Sequence, residues 1–375
     1  MTKSEIRTEV ESKKVFLPEF VNYSIKYKDE KGEDELCDCL LEFQNYYTVI
    51  EVKERDSHFL DKENNKWFRK TIEKTGVDRI VKFYSLLKRS NELRFYDKNN
   101  KTLLLDDSFY VFPIIVFDNP CIKDYKRVIF CRRINRYINV FSIEDFNEAF
   151  DTLLIPYEIN LYLEFRIACF KKDENFLKAR LVLGEYKDKI LLWGGGIQSE
   201  SDLAQFYYAS RSDVDEPNSI AERLSLFNSI SNHIRNSLDA NTNDEAIKKE
   251  MLSFVNSVDI NVAYSIAKMW DTCLKRIKEN DGSWPPFSMK KDKSGLLLIT
   301  KPSSFSDEEF SNYCSNLVLM FAYSNRLSTV YHIGFYSVDG AIATAIGAEK
   351  YGAFEDPDQE LECELRKYRD LGIRF

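Results

Sequence analysis

Asp38, Glu51 and Lys53 are the residues of this chain whose types and spacing could do chemistry together. They fall in ELCDCLLEFQNYYTVIEVKE (35–54), where Asp38 interrupts one apolar run and Glu51-Val52-Lys53 ends the next. Side chains alternate along a strand, so Glu51 and Lys53 share a face and Val52 takes the other. If the two runs pair as neighbouring strands, Asp38 can join that face across the ladder. Two carboxylates held so close repel each other unless a cation lies between them, which suits a hard divalent metal with oxygen ligands. A nearby lysine can orient or deprotonate a water and stabilise charge on a phosphorane-like transition state. Those are the requirements of phosphodiester hydrolysis. The plainer alternative is an aspartate near a hairpin and a solvated Glu51–Lys53 ion pair at a strand end.

The elements that must position these residues are legible in outline. Residues 3–14 have the pattern of a short amphipathic helix, and FVNYSIKY (20–27) reads as a strand. The turn cluster KDEKGED leads into ELCDCLLEF as a hairpin, and YYTVIEV (46–52) is a β-branched and aromatic strand. A helix is expected from about Lys66 to Ser90, then strands at ELRFYD, KTLLLD, YVFPIIVFD, RVIFCRR and YINVFS. Ser142 and Asp145 open a further helix, which resumes through EINLYLEFRIACF. The first half is therefore α/β. Beyond KKDEN the texture turns mostly helical, apart from KILLWGGG with its glycines at 194–196. Residues 279–295 read as loop or linker, before strand GLLLIT, a helix opened by Ser306, strand TVYHIGFYSV and a closing segment rich in Glu and Arg.

Asp38, twelve intervening residues and then Glu51-Val52-Lys53 at the end of an apolar strand resemble the signature of the PD-(D/E)xK nuclease superfamily. The first 170 residues are similar to the nuclease-like domain that opens a group of bacterial proteins. The resemblance implies a restriction-endonuclease-like mixed sheet flanked by helices over 1–170, with 171–375 a second domain for sensing, partner binding or regulation. It implies Asp38 and Glu51 as ligands of Mg2+ or Mn2+ and Lys53 as the catalytic lysine. A further glutamate comes from the preceding helix, Glu9 or else Glu5. Cys37 stands where the family usually has proline, and Asp78 and Arg79 stand where related nucleases often carry a helical glutamine. The activity implied is metal-dependent cleavage of DNA, in some pairings of this kind a defence against phage, and enzymes of this fold often act as dimers.

Composition sets the remaining bounds. The chain has 375 residues, 44% hydrophobic, with a net charge of -8. It is long enough for two domains and too acidic for a generally basic nucleic-acid binder. Yet Glu51 to Arg136 holds 20 Lys and Arg against 13 Asp and Glu, and KDYKRVIFCRRINR (123–136) has six basic residues and one acid. Arg69, Lys70, Lys74, Arg79 and Lys82 on the expected helix, with Lys126, Arg127, Arg132, Arg133 and Arg136, are candidates to hold a phosphate backbone. Trp67, Phe68, Phe83 and Tyr84 read as core and boundary residues before base-stacking ones. The eight cysteines lack metal-ligand spacing and read as buried thiols of a cytosolic protein, with Cys37 and Cys39 on one strand face. His58 follows the triplet and is expected to be exposed. No apolar run is long enough to span a membrane. The competing classes are a nuclease-fold protein that binds nucleic acid without cutting it, and a regulatory protein that works through protein contacts of its C-terminal half.

Overall fold

A computed structural model describes residues 2–30, 32–55, 63–153, 155–172, 199–211, 227–235, 245–279, 285–354, 358–371 and 373. KILLWGGG and His58 lie outside them. The chain forms two compact units, 1–220 and 221–375, so the helix Glu200–Arg211 goes with the first.

Helix α1 (Lys3–Phe16) opens the first unit with a capping box, in which the Thr2 side chain and Glu5 satisfy each other's backbone N–H groups. Strands β1 (Val21–Asp29), β2 (Gly32–Phe43) and β3 (Tyr46–Glu54) follow as an antiparallel meander. A helical segment then crosses one face of the sheet: α2 (Asn64–Phe68), a π-helical stretch (Arg69–Gly76) and α3 (Val77–Leu87). Gly76 lets this stretch sit close to the sheet, since a Cβ there would come within 3.0 Å of the Ile115 side chain. The short strands β4 (Arg94–Tyr96) and β5 (Thr102–Leu103) form one edge of the sheet. β6 (Tyr110–Asp118) lies parallel to β3, β8 (Arg136–Ser142) parallel to β6, and β7 (Val128–Cys131) antiparallel to β8. The result is a mixed eight-stranded sheet, ordered β5-β4-β1-β2-β3-β6-β8-β7.

Alternation assigns the two faces. Tyr47 and Val49 of β3 pack with Ile72, Ile80 and Phe83 under the helix that follows, so Glu51 and Lys53 belong to that face. Thr48, on the other face, donates to Asn160 of α5 (Pro156–Lys172). On that side α4 (Ile143–Thr152), capped by Ser142 as expected, stacks Phe146 on Phe150.

A buried polar network ties α5, the sheet and α6 (Glu200–Arg211) together. Arg166 is fully buried; it donates to Glu200 at 2.7 Å and to the carbonyls of Val140 and Arg127 at 2.8 Å. Tyr162 donates to the same glutamate, and Arg127 reaches both Glu200, at 3.6 Å, and Asp145. Every charge in the network thus has an opposite partner and hydrogen bonds, the condition under which burial is tolerated.

The second unit contains a four-stranded sheet ordered β12-β11-β10-β9. β10 (Ser294–Thr300) and β11 (Thr329–Val338) are parallel and joined through α9 (Asp307–Asn325), which is capped by Ser306. α7 (Glu245–Val255) and α8 (Ile260–Lys278) precede the sheet, and α10 (Gln359–Asp370) follows it. One expectation fails here, and one strand goes unread. FSMKK (287–291) is strand β9 and not linker, because it pairs antiparallel with the apolar β10. Ahead of the final helix, AIATAIGAEK forms β12 (Ala341–Lys350), whose short side chains hide a strand pattern that the pairing with β11 reveals. No helix among the described residues is long and apolar enough to cross a membrane.

Candidate metal centre

Strands β2 and β3 pair from Phe43–Tyr46 up to Cys39–Ile50 and go no further. At the next step, where Asp38 and Glu51 would face each other, the backbone ladder gives way to a side chain. Val52 donates its N–H to Oδ2 of Asp38 at 2.6 Å. Asp38 therefore sits in the notch where the two strands part. The cause lies partly in β1. Ser24, opposite Asp38 in the β1–β2 register, has φ of 47°, in the left-handed region, and the register slips past Ile25 so that Leu36 is left without a partner. Such a bulge bends a strand and re-aims its side chains.

The bend also separates the two cysteines expected on one face. Cys37 packs with Ile25 in the core under α3, whereas Cys39 lies beside Tyr23 and Ser12. Five of the eight cysteines are buried, and Cys121 and Cys363 are exposed.

Around the notch the charges are dense. Lys53 Nζ lies 2.5 Å from Oε1 of Glu51, itself 3% exposed, and also donates to the Val52 carbonyl at 3.1 Å. Arg79 of α3 approaches two carboxylates, its Nε 3.9 Å from Glu51 Oε1 and its Nη2 3.8 Å from Glu35 Oε2. Burial, together with the neighbouring Glu51 charge, pushes the Asp38 carboxyl up from 3.8 to about 7. Burial likewise raises Glu51, against the pull of Lys53 and Arg79. A pair of acids that resists ionisation is short of positive charge, and a hard cation would supply it. The donors fit Mg2+ or Mn2+, which bind through one or two carboxylates and fill the rest of their shell with water and phosphate oxygens. Among the described residues no three acidic, histidine or cysteine side chains gather as a cage, so the fit is to an open site.

Glu9 is not at this notch. Burial alone would raise its carboxyl, but hydrogen bonds from Lys13 at 2.5 Å and Lys98 at 2.9 Å hold it below the usual range. Its neighbourhood is Tyr23 and Cys39, on the α1 side of the sheet. Glu5 is occupied by the α1 cap. The third acid that the structure does bring to the notch is Glu35.

The basic candidates divide. Arg69, Lys70 and Lys74 are exposed on the π-helical stretch, and Arg132 and Arg136 are exposed on the β7–β8 hairpin. Lys126 with Glu73 at 3.1 Å, and Arg133 with Asp78 at 2.5 Å, tie that hairpin to the helix, so the two basic segments lie side by side. Lys82 is held by Asp34 at 2.7 Å. Arg127 is mostly withdrawn from the surface, its side chain 14% exposed, since its guanidinium serves the Asp145–Glu200 network. Trp67, Phe68 and Phe83 belong to the core or its border, as expected.

No family model matches the chain, and neither the search of curated proteins nor that of solved structures returns a match.

Proposed function

We propose that the first unit is a metal-dependent phosphodiester hydrolase acting on nucleic acid, with DNA the substrate that the resemblance implies. The observation that carries this reading is the notch itself: two carboxylates where β2 and β3 part, and a lysine on one of them. The Val52 N–H fixes one oxygen of Asp38 and Lys53 fixes one oxygen of Glu51, which leaves each carboxylate a second oxygen for a cation. A bound Mg2+ or Mn2+ would polarise the scissile phosphate and lower the pKa of an attacking water. Lys53 puts a positive charge beside that position, where negative charge collects on phosphate oxygens in the transition state. Arg69, Lys70, Lys74, Arg132 and Arg136 offer sequence-independent contacts to a backbone, which weaken as salt rises.

The test is nicking of supercoiled plasmid with Mg2+, Mn2+ or EDTA by the wild type, Glu51→Ala and Lys53→Ala. The reading expects metal-dependent nicking that both substitutions reduce at least about a hundredfold, the scale of losing one transition-state contact. Cleavage equal in all three proteins, or none on any DNA or RNA, would overturn it. In the second case the fold would be left as a binding scaffold.

A further inference from the structure

A second charged site lies on the same unit, away from the carboxylates. A cleft of about 680 Å³ opens between the end of α3, the turn that joins β7 to β8 and the residues entering β6. Lys88, Arg133 and Arg136 line it against a single acid, Asp107, and Tyr84, Phe109 and Tyr110 supply aromatic surface. Within a protein of net charge -8 this is a local excess of positive charge in a concave site. Arg133 is engaged by Asp78 at the surface, but among the described residues neither Lys88 nor Arg136 is paired with a carboxylate. Arg136 instead lies over the Tyr110 ring, 5.1 Å from its centroid, and Tyr110 stays 39% exposed. The Arg136 side chain also hydrogen-bonds with Tyr84, and an arginine stacked on an exposed aromatic ring keeps its remaining N–H groups for an anion and offers a flat edge to a planar group.

The site is distinct from the notch. Tyr110 pairs with Tyr46 at the start of the β3–β6 ladder and Glu51 with Ile115 five steps on, roughly 17 Å away at about 3.3 Å per residue.

We infer that this cleft binds a nucleotide unit, its phosphates held by Lys88 and Arg136 and its base against Tyr110 and Phe109. Aromatic faces beside unpaired cations are what base-plus-phosphate recognition requires, and neither alone would select a nucleotide over another anion. The unit has two sources, a free mononucleotide or one residue of a single strand. The inference does not depend on hydrolysis at the notch, so a Glu51→Gln protein should bind as the wild type does.

The experiment is titration calorimetry of the full chain with adenosine triphosphate, uridine triphosphate, inorganic tripolyphosphate and a twelve-residue thymidine oligonucleotide, in EDTA. The proteins compared are the wild type, Lys88→Glu, Arg136→Glu and, as a control of equal charge change on an exposed lysine outside the cleft, Lys101→Glu. Binding of a nucleoside triphosphate that is at least about tenfold weaker in both cleft variants, a loss of about 1.4 kcal/mol, and unchanged in the control supports the inference with a free nucleotide as ligand. The same pattern for the oligonucleotide alone supports it with a strand as ligand. Tripolyphosphate binding as tightly as the nucleotides, an equal loss in Lys101→Glu, or no binding of nucleotide and oligonucleotide to the wild type would overturn it. Thermal unfolding of each variant separates lost binding from lost folding. Should one cleft variant fail to fold, Arg136→Gln, which keeps a polar planar group but not the charge, replaces it with the same expected loss.

Discussion

Replacing Asp38 with asparagine should stabilise the metal-free protein, and by clearly more at pH 8 than at pH 5. Burial and the Glu51 charge push the Asp38 carboxyl from 3.8 to about 7 in the fold. At about 1.4 kcal/mol per pH unit, holding it ionised costs the folded state on the order of 4 kcal/mol. As pH rises past about 4 the unfolded chain loses this proton while the fold keeps it, so stability falls across the window up to about 7 and the full cost persists above. The asparagine has no proton to lose, and its side-chain oxygen can still accept from the Val52 N–H. The difference between variant and wild type should therefore grow from about 1.6 kcal/mol at pH 5 to about 4 kcal/mol at pH 8. Urea unfolding in EDTA at the two pH values measures it, and carbon-13 NMR of the Asp38 carboxyl checks the titration directly. Adding Mn2+ at a hundred times the dissociation constant should narrow the difference at pH 8 by about 2.7 kcal/mol, because only the wild type gains from binding. An Asp38 carboxyl titrating near 4, or a variant no better at pH 8 than at pH 5, would refute the reasoning.

Three further outcomes are expected. Arg79→Gln should tighten Mn2+ binding roughly fivefold, because the guanidinium lies 3.9 Å from Glu51 and competes for its charge, with a partly exposed ion pair setting the scale; calorimetry showing equal or weaker binding would contradict this. Arg166→Met should cost about 3–5 kcal/mol in chemical denaturation by stranding the buried Glu200, and a cost below about 1 kcal/mol would show that the network adds little. Gly347→Ala should lower the melting temperature of the second unit by the equivalent of about 1–3 kcal/mol, because the added methyl would lie 1.9 Å from His332 Nε2. An unchanged melting curve would show that the ring has room to move.

Strand period made Glu51 and Lys53 legible as one face, since β3 is regular and packed on both sides by neighbours. The capped helices at Ser142 and Ser306 were legible for a similar reason, because a cap is a local hydrogen bond whose partners lie three residues apart. Glu35 was not legible. It stands three residues before Asp38, an odd spacing that alternation assigns to the opposite face, and only the bulge at Leu36 brings it back. Glu9 failed for the converse reason: its place on the first helix suited the notch, but Lys13 and Lys98, the latter 89 residues away, hold it on the other side of the sheet. Arg127 sits in a basic run that reads as surface, and its burial depends on Asp145 and Glu200, which sequence neighbours do not announce.

The most direct measurement is the anomalous difference density of crystals soaked in Mn2+. The account predicts one peak at the β2–β3 notch, about 2.1 Å from an oxygen of Asp38 and an oxygen of Glu51, that disappears in Glu51→Gln. A strong peak elsewhere on the unit, or no peak at the notch at millimolar Mn2+, would contradict it.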